Sequence, residues 1–196
     1  MHPTRVVLFL ALGLLACGSA LGQRPGPEFW RKVGCEPFEP RTKLEAIDDR
    51  HGTVIIKAFT RITTIEVRGV RIDAVDMREM GGIGRARGIV VSLREEGGRA
   101  DDNRAFVDYE ELDALLNAID AMVRVDETMT RMPGFEARYK TLGDLEVGVF
   151  RQTRSGTAVL LATGICDRAT QTMTLDDLAK VKAMIQEAKT RLDESR

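Results

Sequence analysis

The sequence predicts an α+β fold built mainly from antiparallel sheet, with two amphipathic helices. Residues 108–124 and 174–192 both place apolar side chains at helical spacing. Each of these stretches follows several short β-rich segments, so the chain runs through strands and then one helix, twice. This order favours antiparallel sheets over alternating strand–helix units, which build parallel ones.

The first helix, predicted over residues 108–124 (DYEELDALLNAIDAMVR), is the clearest element of the chain. Its apolar stripe must be buried, and a sheet is the expected partner. Asp108 is expected to accept hydrogen bonds from the first turn, with Glu111 reaching back in a capping box. The stripe consists of Leu112, Leu115, Leu116, Ile119, Met122 and Val123.

The second helix, predicted over residues 174–192, repeats this pattern. Thr174 and Asp177 have the spacing of a capping box. The apolar positions Leu178, Val181, Ile185 and Ala188 lie 66 residues after Leu112, Leu115, Ile119 and Met122. The shared phase suggests a duplicated strands-then-helix unit. The alternative is the chance similarity that any two amphipathic helices have.

Strands are predicted where β-branched and aromatic residues alternate with polar ones between turn-forming residues. In the first half they are residues 43–47, 53–59, 63–67, 70–77 and 88–93. In the second half they are residues 137–141, 145–152 and 157–163. The first two strands are expected to form a hairpin. Ile65, Val67, Ile72 and Val75 are core candidates.

In this element order, the chain resembles the whirly-type single-stranded DNA-binding proteins, which contain two tandem units of four strands followed by a helix. The resemblance covers the order of elements and implies the same tandem topology. It also implies binding of single-stranded DNA, which the charge balance opposes. Without residues 1–22, which contain Arg5 and no acidic residue, 28 basic and 30 acidic residues leave a net charge of −2. We therefore expect no nucleic-acid partner.

Residues 1–22 are predicted to be a signal peptide. Arg5 provides a basic start, and residues 6–16 form an apolar run that is too short to span a membrane. Cleavage is expected after Gly22, which would release a periplasmic or extracellular protein. The alternative is cleavage before Cys17, because residues 14–17 (LLAC) resemble a bacterial lipobox. Cys17 would then be lipidated and would provide the protein's membrane attachment.

Two further cysteines, Cys35 and Cys166, remain after either cleavage. In an oxidising compartment an even number of cysteines favours a disulfide between them. Such a bridge would join the N-terminal arm to the second half of the chain. Two unpaired thiols are the alternative.

The chain is predicted to have four regions. Residues 1–22 are the signal peptide, and residues 23–41 form an extended arm that contains four of the six prolines. Residues 42–132 form the first strands-plus-helix unit, and residues 133–196 form the second. The two units are expected to share one compact domain.

Side chains that could carry chemistry are few and scattered. His51 is the one histidine beyond the signal peptide, and it lies in a polar turn where a solvated role is expected. Residues 81–88 (GGIGRARG) look like a phosphate-binding loop with Arg85 and Arg87 nearby. A strand is predicted to follow them, whereas a dinucleotide site requires a helix, so a hairpin connection is expected. We predict no catalytic residue, no cofactor and no metal site.

These observations favour an exported bacterial protein that is not an enzyme. It would bind a protein or a small molecule, or take part in an envelope assembly. The alternative is a secreted hydrolase with a site of dispersed Asp or Glu residues. An open concavity with converging ionisable groups would favour the hydrolase, and a filled sheet–helix core without one would favour the binding module.

Overall fold

The computed structural model describes residues 39–94, 104–125, 134–152, 156–164 and 168–195. These residues belong to one compact unit, Cys35–Arg196. Its helices are α1 (Lys43–Asp48), α2 (Leu112–Val123) and α3 (Leu175–Glu194), and a short 3-10 helix (Tyr109–Glu111) precedes α2. The strands are β1 (Ile55–Arg61), β2 (Val70–Glu79), β3 (Arg85–Leu93), β4 (Arg104–Asp108), β5 (Phe135–Lys140), β6 (Glu146–Gln152), β7 (Gly156–Thr163) and β8 (Ala169–Met173).

The strands form two antiparallel sheets of four strands each, which confirms the predicted α+β class. The first sheet has the order β1-β2-β3-β4 and the second the order β5-β6-β7-β8. In both sheets every strand pairs with its neighbour in the sequence. One long helix follows each sheet along the chain, so the order of strands and then a helix occurs twice.

The two long helices are exchanged between the sheets. Helix α2 follows the first sheet but packs against α3 and against β5 and β6 of the second sheet. Helix α3 follows the second sheet but packs mainly on β2 and β3 of the first. Ile119 of α2 and Ile185 of α3 are both buried in a single core to which both halves contribute. Each half therefore depends on the other for the burial of its apolar surface.

The apolar positions predicted for the two helices are buried as expected, except Val123 at the end of α2, which is 39% exposed. Thr174 caps α3 as predicted, because its hydroxyl accepts a hydrogen bond of 3.1 Å from the N–H of Asp177. The eight positions related by 66 residues all lie in the shared core: Leu112, Leu115, Ile119, Met122, Leu178, Val181, Ile185 and Ala188.

The strand predicted at residues 43–47 is wrong, because this segment forms helix α1. The hydroxyl of Thr42 accepts a hydrogen bond of 3.1 Å from the N–H of Glu45. The carboxylate of Glu45 accepts one of 3.0 Å from the N–H of Thr42, which completes a capping box. Leu44 and Ile47 then lie on one face of the helix and are buried against the first sheet. The predicted hairpin is therefore a short helix followed by β1.

The strand predicted at residues 63–67 is also wrong, because these residues belong to the connection between β1 and β2. Val67 forms an isolated β-bridge with Val70, and Gly69 between them has a φ of 74°, which favours glycine. This tight reversal leaves no room for a separate strand. Val67 is nevertheless buried in the shared core, and Ile65 packs against it.

The helix cap predicted at Asp108 is wrong as well. Asp108 is the last residue of β4, and its side chain makes no hydrogen bond to the helix that follows. Its carboxylate instead accepts hydrogen bonds from the main-chain N–H groups of Lys43 and Leu44, at 2.7 and 3.1 Å. Glu111 does not reach back either, since its carboxylate accepts a hydrogen bond of 3.1 Å from the N–H of Leu142. The first turn of α1 has N–H groups without helical partners, and Asp108 satisfies two of them.

Several predictions concern residues outside the described ranges. These are the signal peptide at residues 1–22, most of the arm at 23–41, and the three cysteines Cys17, Cys35 and Cys166. They remain predictions. Among the helices that the structure describes, none combines the length and the apolar character needed to cross a membrane.

Candidate functional site

Helix α1 covers only part of the outer face of the first sheet, which is the face opposite the shared core. Side chains alternate between the two faces of a strand, and Val75, Val90 and Phe106 lie on this outer face. Leu44 and Ile47 of α1 pack with them in a second, smaller apolar cluster. Beyond α1, the described residues leave the outer face uncovered.

This part of the face is a concavity of about 320 Å³, and four of its nine lining residues are cations. Strand β1 contributes Lys57 and Arg61, β2 contributes Arg71, and β4 contributes Arg104. These four residues are the basic cluster. Their side chains are between 33% and 50% exposed, so the charged ends are accessible to a ligand. The other lining residues are Phe59, Asp73, Val75, Val90 and Ser92.

The strand register explains why the basic cluster forms. Arg61 lies opposite Asp73 on the neighbouring strand β2. Ser92 of β3 lies opposite Arg71 on one side and Arg104 on the other. Residues from four strands are therefore neighbours in space, although they are spread over nearly fifty residues of sequence.

Asp73 is the buried carboxylate at the centre of this face. Its Oδ1 accepts a hydrogen bond of 3.1 Å from Nε of Arg61. Nε of Arg71 lies 3.2 Å from its Oδ2, which is an ion-pair distance but lacks the alignment of a hydrogen bond. Asp73 therefore holds two guanidinium groups next to each other.

Asp48, the last residue of α1, pairs with the other half of the basic cluster. Its carboxylate lies 3.0 Å from Nη2 of Arg104 and 3.7 Å from Nζ of Lys57. Four cations against two carboxylates, Asp48 and Asp73, leave a net charge of +2 on the basic cluster and its two partners. The chain without residues 1–22 has a net charge of −2, so positive charge is concentrated here against the overall balance.

Aromatic side chains accompany these cations. Nζ of Lys57 lies 5.9 Å from the centre of the Phe106 ring, and Cζ of Arg104 lies 5.2 Å from it, both at cation–π distance. Phe106 is buried, whereas Phe59 of β1 is 62% exposed at the rim. The face thus offers both charged donors and an exposed aromatic ring.

The basic cluster retains hydrogen-bond donors that the described residues do not use. Among the described residues, Arg61 donates to Asp73 through Nε alone, and neither of its Nη groups has a partner there. Arg71 donates through Nη2 to Oγ of Ser92 at 3.4 Å, which is a long bond. Guanidinium groups with free donors bind carboxylate and phosphate oxygens in pairs. This arrangement suits the binding of an anion.

A larger concavity, of about 530 Å³, lies on the described surface near the start of α1, but its charged groups are paired. Arg85 donates to Asp76 at 2.7 Å, and Lys43 donates to Glu110 at 2.6 Å. The Arg87 guanidinium stacks on the Tyr109 ring, at 4.9 Å from its centre. Few donors are therefore left for a ligand.

The largest of these concavities, about 840 Å³, lies beside the start of α3. It mixes both signs of charge, and Lys180 there donates to Asp177 at 3.0 Å. Size alone therefore does not identify the site, and the unpaired donors of the basic cluster favour the smaller concavity.

Glu111 is the described group best suited to proton transfer. Burial raises its pKa, and the negative charges of Asp108 and Glu45 raise it further, against the hydrogen bond from the Leu142 N–H. Its Oε2 is buried and has no hydrogen-bond partner within the described ranges. However, Asp108 and Glu45 both accept hydrogen bonds from N–H groups at the start of α1. They have a structural role, so Glu111 lacks a free carboxylate partner.

None of the candidates named from the sequence lines the concavity of the basic cluster. His51 is exposed in the connection between α1 and β1. Residues 81–84 form the turn between β2 and β3, which confirms the hairpin connection. Arg85 pairs with Asp76, while Arg87 is only partly exposed, because it donates to the main-chain oxygen of Leu192 at 3.1 Å.

The sequence did contain one signal for the basic cluster. Lys57, Phe59 and Arg61 alternate along β1, so a strand must place all three on one face. Such alternation also occurs on ordinary solvated strands. The contributions of β2 and β4 depend on the register, which the sequence does not reveal.

No protein-family model, no curated protein and no solved structure gives a significant match to this chain. No group of three or more His, Cys, Asp or Glu side chains in the described part of the chain is placed to hold a metal ion.

Proposed function

We propose that this chain is an exported, non-catalytic binding module that holds an anionic ligand on the outer face of its first sheet. The ligand would carry carboxylate or phosphate groups, either on a protein partner in an envelope assembly or on a small molecule. The observation that supports this proposal is the basic cluster, in which four partly exposed cations share two carboxylates around a concavity.

The alternative is a secreted hydrolase with dispersed Asp or Glu residues, which an open concavity with converging ionisable groups would favour, provided that one of its carboxylates is free to act as acid or base. The concavity is present, but its ionisable side chains are the four cations and Asp73. Asp73 is held by Arg61 and Arg71, so it is not available as a general base. This distribution of charge favours binding over hydrolysis.

The binding proposal can be tested by isothermal titration calorimetry on the whole protein. Citrate and pyrophosphate serve as probes, since they present carboxylate and phosphate oxygens respectively. We expect one saturable site that weakens as the salt concentration rises, because exposed charges are screened. The double variant Arg61→Gln/Arg104→Gln should lower the affinity at least tenfold.

Arg78→Gln provides the matched control. Arg78 is an exposed arginine of β2 on the opposite face of the same sheet, where it pairs with Asp76. Its replacement should leave the affinity unchanged. The proposal fails if neither probe binds saturably, or if the double variant binds as tightly as the wild type.

Export and processing require a separate measurement. The intact mass of the protein from its native host should correspond to a chain that begins after Gly22, or to a lipidated chain that begins at Cys17. Alkylation with and without reductant should show that Cys35 and Cys166 are disulfide-bonded. A mass that retains residues 1–22 would contradict export by this signal, and two freely alkylated thiols would contradict the bridge.

A further inference from the structure

The free edge of the first sheet runs along the basic cluster. Within the described ranges, β1 pairs with β2 and with no other strand. Every residue from Ile56 to Arg61 is exposed. A strand at the edge of a sheet presents unpaired N–H and C=O groups, to which another extended segment can add.

The hydrogen bonds at both ends of β1 show which main-chain groups face outward. The N–H of Met80 donates to the oxygen of Val54 at 2.9 Å, and the N–H of Ile62 donates to that of Ile72 at 3.0 Å. Between two antiparallel strands, residue pairs that exchange main-chain hydrogen bonds alternate with residue pairs that do not. The even-numbered residues of β1 therefore bond to β2, and the odd-numbered residues direct their N–H and C=O groups to the free edge.

The same odd-numbered residues carry the side chains of the basic face. Lys57, Phe59 and Arg61 place a cation, an aromatic ring and a second cation along this face. Side chains on neighbouring strands lie about 4.5–5.5 Å apart at Cβ. A strand that pairs with the outward main-chain groups would therefore bring its own alternate side chains beside these three residues.

We propose that an extended acidic segment of a partner protein adds to β1 as a fifth strand of the first sheet. This inference rests on the proposed function and names the class of its ligand. Two carboxylates on the side of the added strand that continues the basic face would lie beside Lys57 and Arg61. They would balance the net charge of +2. An apolar side chain between them would cover Phe59, which is 62% exposed.

The side chains on the opposite face of β1 suit the same partner. Ile56, Ala58 and Thr60 alternate with the basic residues, and Ile56 is 49% exposed. Small or apolar side chains of the added strand would cover them. A second copy of β1 suits the edge less well, because it would bring a second Lys57 and a second Arg61 to the same face, where like charges repel.

The test uses the acetylated, amidated peptide Thr-Glu-Thr-Val-Thr-Glu-Thr, which has two glutamates and a valine on one face. Two control peptides carry N-methyl groups on alternate amides, one on the odd-numbered residues and the other on the even-numbered residues. N-methylation keeps the charge of the peptide and blocks the hydrogen bonds of strand pairing. Affinity is measured by calorimetry on the whole protein, and amide hydrogen exchange is followed by NMR. The variants are Lys57→Gln/Arg61→Gln and the control Arg78→Gln.

We expect the unmodified peptide to bind and at least one N-methylated peptide to bind at least tenfold more weakly. Exchange should slow at least tenfold at the amides of Lys57, Phe59 and Arg61, which face the free edge. The variant Lys57→Gln/Arg61→Gln should weaken binding at least tenfold, and Arg78→Gln should not.

Two outcomes overturn the inference and can be told apart from failure of the proposed function. Equal affinity for all three peptides, or unchanged exchange at saturation, would exclude strand addition while citrate or pyrophosphate still binds the basic cluster. If the peptide does not bind while citrate still binds, strand addition is likewise excluded. Absence of binding by every anionic probe would overturn the proposed function itself.

Discussion

The carboxylate of Asp108 accepts a hydrogen bond of 3.1 Å from the main-chain N–H of Leu44, which joins the end of β4 to the first turn of α1. A second bond, of 2.7 Å, comes from the N–H of Lys43. Helix α1 has six residues and is too short to be stable alone. Its position beside the basic cluster therefore depends on this anchor and on the burial of Leu44 and Ile47.

Replacement of Asp108 by alanine should lower the free energy of unfolding by about 2–3 kcal/mol, because two N–H groups lose a charged acceptor. Urea denaturation followed by circular dichroism measures the change. Glu110→Ala is the control, since the Glu110 side chain is 63% exposed and its ion pair within the described ranges is with exposed Lys43. This replacement should change stability by less than about 0.5 kcal/mol. Equal effects of the two substitutions would contradict the anchoring role.

Glu111 should make the stability depend on pH. Its pKa is raised in the folded protein by burial, with Asp108 and Glu45 adding to the effect. The folded state therefore holds this proton more tightly than the unfolded state, and stability falls as the pH rises through the folded pKa. Glu111→Gln keeps an oxygen for the Leu142 N–H and should be more stable than the wild type at pH 7.

This advantage of Glu111→Gln should shrink as the pH falls below the folded pKa, where the wild-type side chain is protonated. Thermal melting of both proteins between pH 3.5 and 8 measures the difference. Parallel profiles for the two proteins would show that Glu111 does not titrate differently in the folded state.

Gly143 should tolerate no side chain. It forms an isolated β-bridge with Phe106, and a Cβ at this position would lie 2.0 Å from the main-chain oxygen of Phe106. Gly143→Ala should therefore lower stability by about 1–3 kcal/mol or more. Gly148→Ala is the control, because nothing lies closer than 3.8 Å to its added Cβ, and it should change stability by less than about 1 kcal/mol. Comparable melting temperatures for both variants would argue against this close approach of the chain.

The shared core predicts that the two halves unfold together. Ile119→Ala in α2 and Ile185→Ala in α3 each remove a fully buried side chain and should each cost about 2–5 kcal/mol. Both variants should show one cooperative transition by circular dichroism and by NMR signals from either sheet. Two separable transitions, or loss of one sheet alone, would contradict a single core.

The elements that the sequence predicted well are those whose pattern is local and repeated. Both long helices follow from apolar spacing, and the cap at Thr174 follows from the identity of Asp177 three residues later. The same signal, Thr42 followed by Glu45, was present before α1. It was missed because six residues are too few for a helical period to outweigh an apparent alternation.

The basic cluster depended on information of another kind. Arg61 meets Asp73, and Ser92 meets Arg71 and Arg104, only because of the pairing register. The register follows from the whole sheet and its turns, and one strand by itself does not specify it. Asp108 illustrates the same point, since its partners in α1 lie far from it in the sequence.

The exchange of helices between the sheets has a consequence for the order of folding. Strands β2 and β3 are covered mainly by α3, which follows all eight strands. During synthesis the first sheet therefore lacks its covering helix until Leu175–Glu194 has been made. Folding is slow when contacts join residues that are far apart in the sequence, and apolar surface stays exposed until these contacts form. The first half alone should be a poor folding unit, because the helix that covers its sheet comes from the second half.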